Sequence, residues 1–298
     1  MGVPKPSPGW RWPLWLVLTI AIVVVLAVGV LVWRPGTYSS WGFQEFRLSP
    51  ADIPVGIAVS HDGTVWFTLD ASDSLGLLRN GQIQKLPKGV DSVEPLGLAI
   101  DAGGRAWYTE APKQRISRAS LDGTIASFPL STPVARLGRL AIAPDGDVWF
   151  AESSLVSVTH LKDGRLTRHV LGSITPATPM DAAPFGVTVA REGTVWATLQ
   201  NANKLLRISP SGDKTVFDVP TRVCGLGDLA VAPDGAAWFT ELRGHKLGRV
   251  YGGTITEFVL PRSDARPFGI TVDAANNVWY TDLSGWVGRL DASRAQIR

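Results

Sequence analysis

Cysteine is almost absent from the sequence: Cys224 is the only one among 298 residues. No disulfide and no paired-cysteine metal site can form within the chain. Its hydrophobic core must therefore stabilise the fold, which is feasible for a domain of this size. The sequence also lacks a glycine-rich phosphate loop and a nucleophile elbow, so nucleotide-dependent and serine-hydrolase chemistry have no supporting motif.

Acidic residues are missing from residues 1–41, which carry Lys5, Arg11 and Arg34. The formal net charge of +3 comes from this segment, because the remaining residues hold 26 basic and 26 acidic side chains. A nucleic acid needs a basic surface. We therefore expect no nucleic-acid partner.

Charge is also absent from residues 14–33, a run of 20 residues in which only Thr19 is polar. Such a run is long enough to cross a bilayer, and it predicts a transmembrane helix at 14–33 between a segment at 1–13 and a linker at 34–42. More positive charge precedes the run than follows it. The expectation is a single-pass protein of the cell membrane, with a cytoplasmic N-terminus and an extracytoplasmic body. A cleaved signal peptide is the alternative, although its apolar region is usually only ~7–15 residues long.

A repeated phrase runs through the rest of the chain, and each copy contains one tryptophan. These residues are Trp66, Trp107, Trp149, Trp196, Trp238 and Trp279, spaced 41, 42, 47, 42 and 41 residues apart. Each repeat has short β-branched and aromatic segments separated by turn pairs such as Asp62-Gly63 and Asn80-Gly81, which is typical of four antiparallel strands. A period of this length predicts a β-propeller. We expect an all-β fold, a six-bladed propeller over residues 43–298, closed by the N-terminal strand at 43–48.

Strand order divides the connections between two faces. The Asp-Gly turns fall on one face, and the segments before each first strand and after each tryptophan fall on the other. The second face includes the longest connection, residues 172–183. Binding residues usually lie on such loops over a rigid scaffold.

The phrases at Gly97–Glu110 (GLAIDAGGRAWYTE) and Pro267–Asp282 (PFGITVDAANNVWYTD) resemble the repeats of the virginiamycin B lyase (streptogramin lyase) family. The resemblance covers about residues 43–298. It implies a propeller whose lyase members have seven blades, bind magnesium and open a cyclic depsipeptide antibiotic by elimination, without water. It also implies that histidines in Pro-His-Gly phrases and glutamates after Trp-Phe-Thr perform the chemistry.

The chain departs from that pattern at the histidine position. The six corresponding residues are Val55, Leu96, Gly138, Phe185, Gly227 and Phe268. The four histidines, at 61, 160, 169 and 245, lie elsewhere, and nothing in the sequence orients His245. We therefore assign no catalytic residue, and we favour binding over catalysis.

The glutamate position is acidic in four repeats, at Glu110, Glu152, Glu241 and Asp282. Glu94 matches an acidic metal-contacting position of the family by resemblance. One interpretation is a Mg²⁺ or Ca²⁺ site formed by these five residues around the axis. The other, which we favour, is that each carboxylate accepts hydrogen bonds from neighbouring loops.

Arginines and two phenylalanines flank the same loops, and they are candidate ligand-binding residues. They are Arg136, Arg139, Arg222, Arg266, Phe185 and Phe268. The arginines suit an anionic or peptide ligand, or they pair with the carboxylates. The phenylalanines either plug the channel or offer an apolar floor to a ligand.

The functional expectation is a membrane-anchored extracytoplasmic propeller that binds a small molecule, a peptide or a protein partner on its loop face. One alternative is a magnesium-dependent carbon–oxygen lyase of the streptogramin class. Another is a lactonase or hydrolase of the gluconolactonase type with a carboxylate-bound calcium. No cofactor is assigned beyond these alternatives.

Overall fold

A computed structural model of the chain describes residues 37–70, 72, 74–87, 96–120, 122–130, 137–143, 145–163, 165–171 and 183–295. The segment expected to be cytoplasmic (1–13), the expected transmembrane helix (14–33) and the first residues of the linker lie outside this set. In the part of the chain that is described, no helix is long and apolar enough to cross a membrane.

Within these residues the chain forms 25 strands in six antiparallel sheets. The first strands of the blades, nearest the axis, are β3 (Ile53–Val59), β7 (Leu98–Ile100), β11 (Leu137–Ile142), β15 (Pro184–Val189), β19 (Leu226–Val231) and β23 (Pro267–Val272). The second strands are β4 (Val65–Asp70), β8 (Ala106–Glu110), β12 (Val148–Glu152), β16 (Val195–Leu199), β20 (Ala237–Glu241) and β24 (Val278–Asp282).

The outer half of each blade holds two more strands. The third strands are β5 (Ser74–Arg79), β9 (Arg115–Ala119), β13 (Ser157–Lys162), β17 (Lys204–Ile208), β21 (Lys246–Tyr251) and β25 (Trp286–Leu290). The fourth strands are β6 (Gln82–Pro87), β10 (Ile125–Pro129), β14 (Arg165–Val170), β18 (Lys214–Asp218), β22 (Thr254–Val259) and β2 (Phe43–Arg47). The remaining elements are β1 (Thr37–Ser40), which pairs outside β2, two 3₁₀ turns at Ala111–Lys113 and Ser153–Leu155, and the helix α1 (Ala292–Ala295).

The ring is closed by a strand from the start of the propeller. β2 pairs with β25, with Phe43 opposite Leu290 and Arg47 opposite Trp286, so the sixth sheet combines both ends of the domain. The predicted six-bladed propeller of four-stranded blades is therefore confirmed. Closure removes the open edge between the first and last blades that would otherwise invite association.

The first strands approach one another closely around a central channel of about 240 Å³. A Cβ atom on Gly269 would lie 2.4 Å from the carbonyl oxygen of Val55 in the next blade, so only glycine fits there. The threonine two residues after the tryptophan joins blades at this level. In β24, Thr281 accepts a hydrogen bond from the Gly269 N–H at 2.8 Å and donates to the Val55 carbonyl at 2.6 Å.

The repeated tryptophans pack both within their own blade and against the next one, as Trp238 does with Ile270 and Tyr280. In β8, Trp107 lies opposite the small residue Ala99 and stacks on Phe128 of the fourth strand, with ring centroids 5.2 Å apart. The indole N–H of Trp107 donates to Asp101 at 2.9 Å. Arg118 of the third strand covers the same indole ring. The tryptophan spacing thus reflects a packing unit that recurs once per blade.

Candidate functional site

Strand pairing places the candidate residues on one face. Each first strand begins where its second strand ends, as in the pairs Leu137 with Glu152, Leu226 with Glu241, and Pro267 with Asp282. The third strand begins at the same level, with Lys246 opposite Glu241. We call this the loop face. It carries the long connections, whereas the Asp-Gly turns lie on the opposite face.

The four carboxylates that follow the tryptophan phrases are buried, and three of them are bound by a guanidinium of their own blade or of the connection leading into it. Glu110 receives hydrogen bonds from Nε and Nη2 of Arg115 at 2.9 and 2.8 Å, and a further one from Ser117. Both partners belong to β9. This carboxylate therefore points toward the outer strands of its blade.

Glu152 and Asp282 have equivalent partners from different parts of the chain. Arg168 in β14 donates to both oxygens of Glu152, at 2.6 and 3.0 Å. Burial opposes ionisation of Glu152, but hydrogen bonds from Arg168 and Thr159 outweigh it and lower its pKa. Arg262, in the connection between β22 and β23, binds Asp282, and the hydroxyl of Ser284 donates to the same carboxylate at 2.6 Å.

The expected metal set is not brought together. Among the described residues, no group of three or more His, Cys, Asp or Glu side chains is arranged to hold a metal ion. Glu110, Glu152 and Asp282 already have their oxygens bound by arginines, so they do not fit a shared Mg²⁺ or Ca²⁺ ion. Glu94 lies outside the described residues. The geometry supports the alternative in which these carboxylates stabilise the blades.

Glu241 differs from the other three. Within the described residues, neither of its buried oxygens has a hydrogen-bond partner. Lys246, which lies opposite, instead contacts Glu257 at 2.5 Å and Thr221 at 2.7 Å. Burial, followed by the charge of Glu257, raises the pKa of Glu241 to about 7. This carboxyl therefore retains a proton in a large fraction of molecules at neutral pH.

The loop-face mouth of the channel is closed by Arg139, which is fully buried. Its guanidinium lies with Nε 3.4 Å from Oδ2 of Asp228. Its carbon Cζ lies 4.5 Å from the ring centroid of Phe268 and 5.9 Å from that of Phe185. Arg139 also donates to the carbonyl of Leu96 and, at 3.3 Å, to that of Val55. One side chain of the third blade thus contacts all five other blades.

The predicted candidates Phe185, Phe268 and Arg139 therefore meet at the axis. The two rings lie 5.6 Å apart, are partly exposed and cover the arginine. The two rings therefore do both things considered from the sequence: they close the channel, and they form an aromatic surface at its mouth. Arg136 lies outside the described residues, and Arg222 is exposed on the same face.

Asp228 was missed by the sequence analysis. Burial raises its pKa to about 6, against the opposing effect of Arg139. The signal was present in the repeat, because Asp228 and Arg139 each lie ten residues before the tryptophan of their blade, where the other four blades have glycine. Opposite charges at one repeat position predict a pair across the axis.

A cavity of about 450 Å³ opens on the loop face, and we call it the loop-face pocket. Its lining residues are Gln200, Gly225, Leu242, Arg243, His245 and Arg266. The Nδ1 atom of His245 is hydrogen-bonded to the carbonyl oxygen of Ala265. Because a carbonyl only accepts, Nδ1 carries the proton and Nε2 is left for other contacts. The expectation that nothing orients His245 is wrong, since its partner lies 20 residues further along the chain.

Comparisons with known proteins were consistent with this architecture. A model of the virginiamycin B lyase family matches residues 39–179 and 173–297. The chain is 35% identical over 221 residues to a virginiamycin B lyase of Nocardia farcinica (strain IFM 10152), covering 74% of each protein. The crystal structure of virginiamycin B lyase from Staphylococcus aureus superimposes with a TM-score of 0.67 at 22% identity, covering 83% of this chain and 98% of that one. A gluconolactonase from Xanthomonas campestris superimposes with a TM-score of 0.65 at 18% identity, covering 88% and 92%. The two structural matches establish the fold alone.

Proposed function

Because the chain belongs to the virginiamycin B lyase family, we propose that its propeller binds a small polar ligand on the loop face, in the loop-face pocket. The observation that carries this proposal is the pocket itself. Its volume of about 450 Å³ lies within the range of small-molecule sites. Its lining combines an apolar side chain, Leu242, with an oriented imidazole and two arginines.

The aromatic mouth supports the same proposal. Phe185 and Phe268 are partly exposed where loop side chains would normally be polar, and the buried Arg139 beneath them keeps their positions fixed. The two rings give the loop face a rigid apolar surface that a bound ligand could contact. Because Arg139 and the two rings close the channel at its mouth, ligand and solvent would reach this face from the loop side and not through the channel.

Ring-opening elimination is a second candidate, and one observation favours it. His245 faces the pocket with Nε2 free of the Ala265 contact, as a general base requires. That nitrogen would take a proton from the carbon adjacent to the one that bears the alkyl oxygen of the lactone in a cyclic depsipeptide. The ring C–O bond would then break, leaving an alkene and a carboxylate without consuming water.

The test of both candidates uses the full-length protein in detergent, incubated with a type B streptogramin, and mass spectrometry with chromatography. Elimination leaves the mass unchanged but shifts retention and fragmentation. We expect the antibiotic to remain intact, and its binding to shift the thermal unfolding midpoint of the protein. A linear product that depends on His245 would replace binding with catalysis as the function. Neither binding nor turnover would remove the antibiotic as the ligand.

We also propose that the propeller is anchored to the membrane with its body outside the cytoplasm. The support is the uncharged run at 14–33 and the excess of positive charge before it. The expected result is a full-length protein that stays with the membrane after alkaline carbonate extraction, and whose propeller is digested by protease added outside spheroplasts. Release by carbonate, or a shortened N-terminus in the mature protein, would contradict the anchor.

A further inference from the structure

The loop-face pocket contains positive charge that no described residue neutralises. Arg243 and Arg266 line it, both are exposed, and neither guanidinium forms an ion pair with any residue that the structure describes. By contrast, Arg115, Arg168 and Arg262 are each paired with a buried carboxylate. The guanidiniums of Arg243 and Arg266 are available to a ligand in the pocket.

Carboxylates lie close in sequence to this pocket, but other groups bind them. Asp282 accepts from the backbone N–H of Arg266 at 3.0 Å, while its other oxygen is bound by the guanidinium of Arg262. Glu257 is bound by the ammonium of Lys246 at 2.5 Å and by Thr221. These carboxylates therefore do not bind the guanidinium of Arg266 or of Arg243.

Glu241 precedes the pocket segment directly and does not neutralise it either. Its oxygens are fully buried, and Oε2 lies under Gly244, 2.7 Å from where a Cβ atom would stand. It is therefore enclosed by the segment that presents Arg243 and His245 to the pocket. The pocket surface itself carries two fixed positive charges and an imidazole.

We propose that the loop-face pocket recognises small ligands that carry a carboxylate, and that Arg243 and Arg266 bind this group while His245 contacts a polar atom beside it. This inference rests on the proposed binding function and names its chemical class. A guanidinium presents paired donors that match a carboxylate in two parallel hydrogen bonds. Leu242 provides an apolar surface for the remainder of the ligand.

The geometry of His245 fits the same ligand. Its Nδ1 is held by Ala265, so the ring presents Nε2 in a fixed direction. That atom accepts a hydrogen bond from a hydroxyl or amide N–H when the ring is neutral, and donates to an oxygen when it is charged. A hydroxy acid or an acylated amino acid offers such a group next to its carboxylate.

The experiment uses the full-length protein in detergent and a matched library of probes. The probes are aliphatic, aromatic and hydroxy carboxylic acids and acetylated dipeptides, each measured beside its own primary amide, with inorganic phosphate as a further anion. Binding is measured by calorimetry. We expect the best carboxylates to bind about 10-fold or more tightly than their amides, because a hydrogen-bonded charge pair is lost in the amide.

Three variants separate the pocket from a general effect of charge. R243Q and R266Q should each weaken the best carboxylate by about 10-fold and leave its amide almost unchanged. R191Q, which removes an exposed arginine in a turn of the opposite face, outside the pocket lining, should leave both unchanged. An equal loss in R191Q would overturn the assignment, as would tighter binding of phosphate than of every carboxylate.

L242W fills the pocket and distinguishes the two levels of the proposal. If acids and amides bind equally and both are lost in L242W, the carboxylate class is wrong and the binding pocket stands. If no probe binds, or L242W has no effect on those that do, both proposals fail. Circular dichroism of each variant shows whether the propeller is intact.

Discussion

Arg139 and Asp228 occupy the same repeat position in two different blades and meet at the propeller axis, with Nε and Oδ2 3.4 Å apart. Four of the six blades have glycine at this position, namely Gly56, Gly97, Gly186 and Gly269. The remaining two blades use the space near the axis for a buried ion pair. The channel is thus closed on the loop face by two substitutions of opposite charge within an otherwise regular ring.

This pair predicts an asymmetric response to mutation. R139M leaves a carboxyl whose pKa is already raised to about 6, so it can take up a proton and become neutral. D228L leaves a guanidinium that stays charged. We expect R139M to reduce the free energy of unfolding by about 3 kcal/mol and D228L by about 4–5 kcal/mol.

The double variant R139M/D228L tests the same pair and should recover much of this loss, because neither charge remains unpaired. The free energy of unfolding of the three variants is measured by urea denaturation, monitored by tryptophan fluorescence. Losses in the single variants that simply add in the double variant would mean that the two side chains are not coupled.

Glu241 predicts a stability that falls as pH rises. Its folded pKa of about 7 lies above the ordinary value of 4.5 for a glutamate side chain. The stabilising contribution of its protonated form is complete below pH 4.5 and is lost as pH rises through 7. Between pH 4.5 and 8 we expect the wild-type protein to lose about 3 kcal/mol relative to E241Q. E110Q is the control, since Glu110 is paired with Arg115. An identical pH profile for wild type and E241Q would show that Glu241 does not titrate in this range.

A single substitution should correct this unpaired carboxyl. Lys246 lies opposite Glu241, just as Arg115 lies opposite Glu110. K246R places a guanidinium where it can bind both Glu241 and Glu257, which the ammonium does not do. We expect K246R to raise the free energy of unfolding at pH 8 by about 1–3 kcal/mol and to flatten the pH profile. A lower stability at pH 8 than wild type would mean that the longer side chain does not fit.

The fold could be predicted from the sequence because its packing unit recurs once per blade. Each tryptophan has an alanine or a threonine opposite it and a turn before it. In five of the six blades an aromatic ring of the fourth strand packs on it, as Phe128 does on Trp107. These features recur at a nearly constant spacing. Closure could also be predicted, since residues 43–48 resemble the fourth strands of the other repeats.

The partners of the acidic residues after the tryptophans could not be predicted in the same way. The three arginines that bind them come from a third strand, a fourth strand and a connection, at Arg115, Arg168 and Arg262. The number of residues between each carboxylate and its arginine differs from blade to blade. The repeat therefore predicts the position of the acid but not the position of its arginine. Arg139 and Asp228 share one spacing from their tryptophans, and this pair could have been predicted by aligning the six repeats.

Arg262 joins the closing strand β2 to the rest of the last blade, and its removal should weaken this closure. Its Nε donates at 2.9 Å to Glu45 of β2, and its other nitrogens bind Asp282, Asp264 and Ser284. The hydroxyl of Tyr280 also donates to Glu45, at 2.8 Å. R262A would leave Glu45 and Asp282 buried without their cation, and we expect a loss of about 3–5 kcal/mol.

The loss in R262A should be concentrated at the closing strand. Hydrogen exchange should accelerate in β2 and β25 well before it does in β20 and β21, because β2 joins its blade without a covalent connection to β25. The control is R79A, which removes an exposed ion pair with Asp62 and should change stability by about 0–1 kcal/mol. Uniform acceleration across all blades in R262A would mean that the ring opens as one cooperative unit, and that Arg262 stabilises the whole propeller rather than its closure.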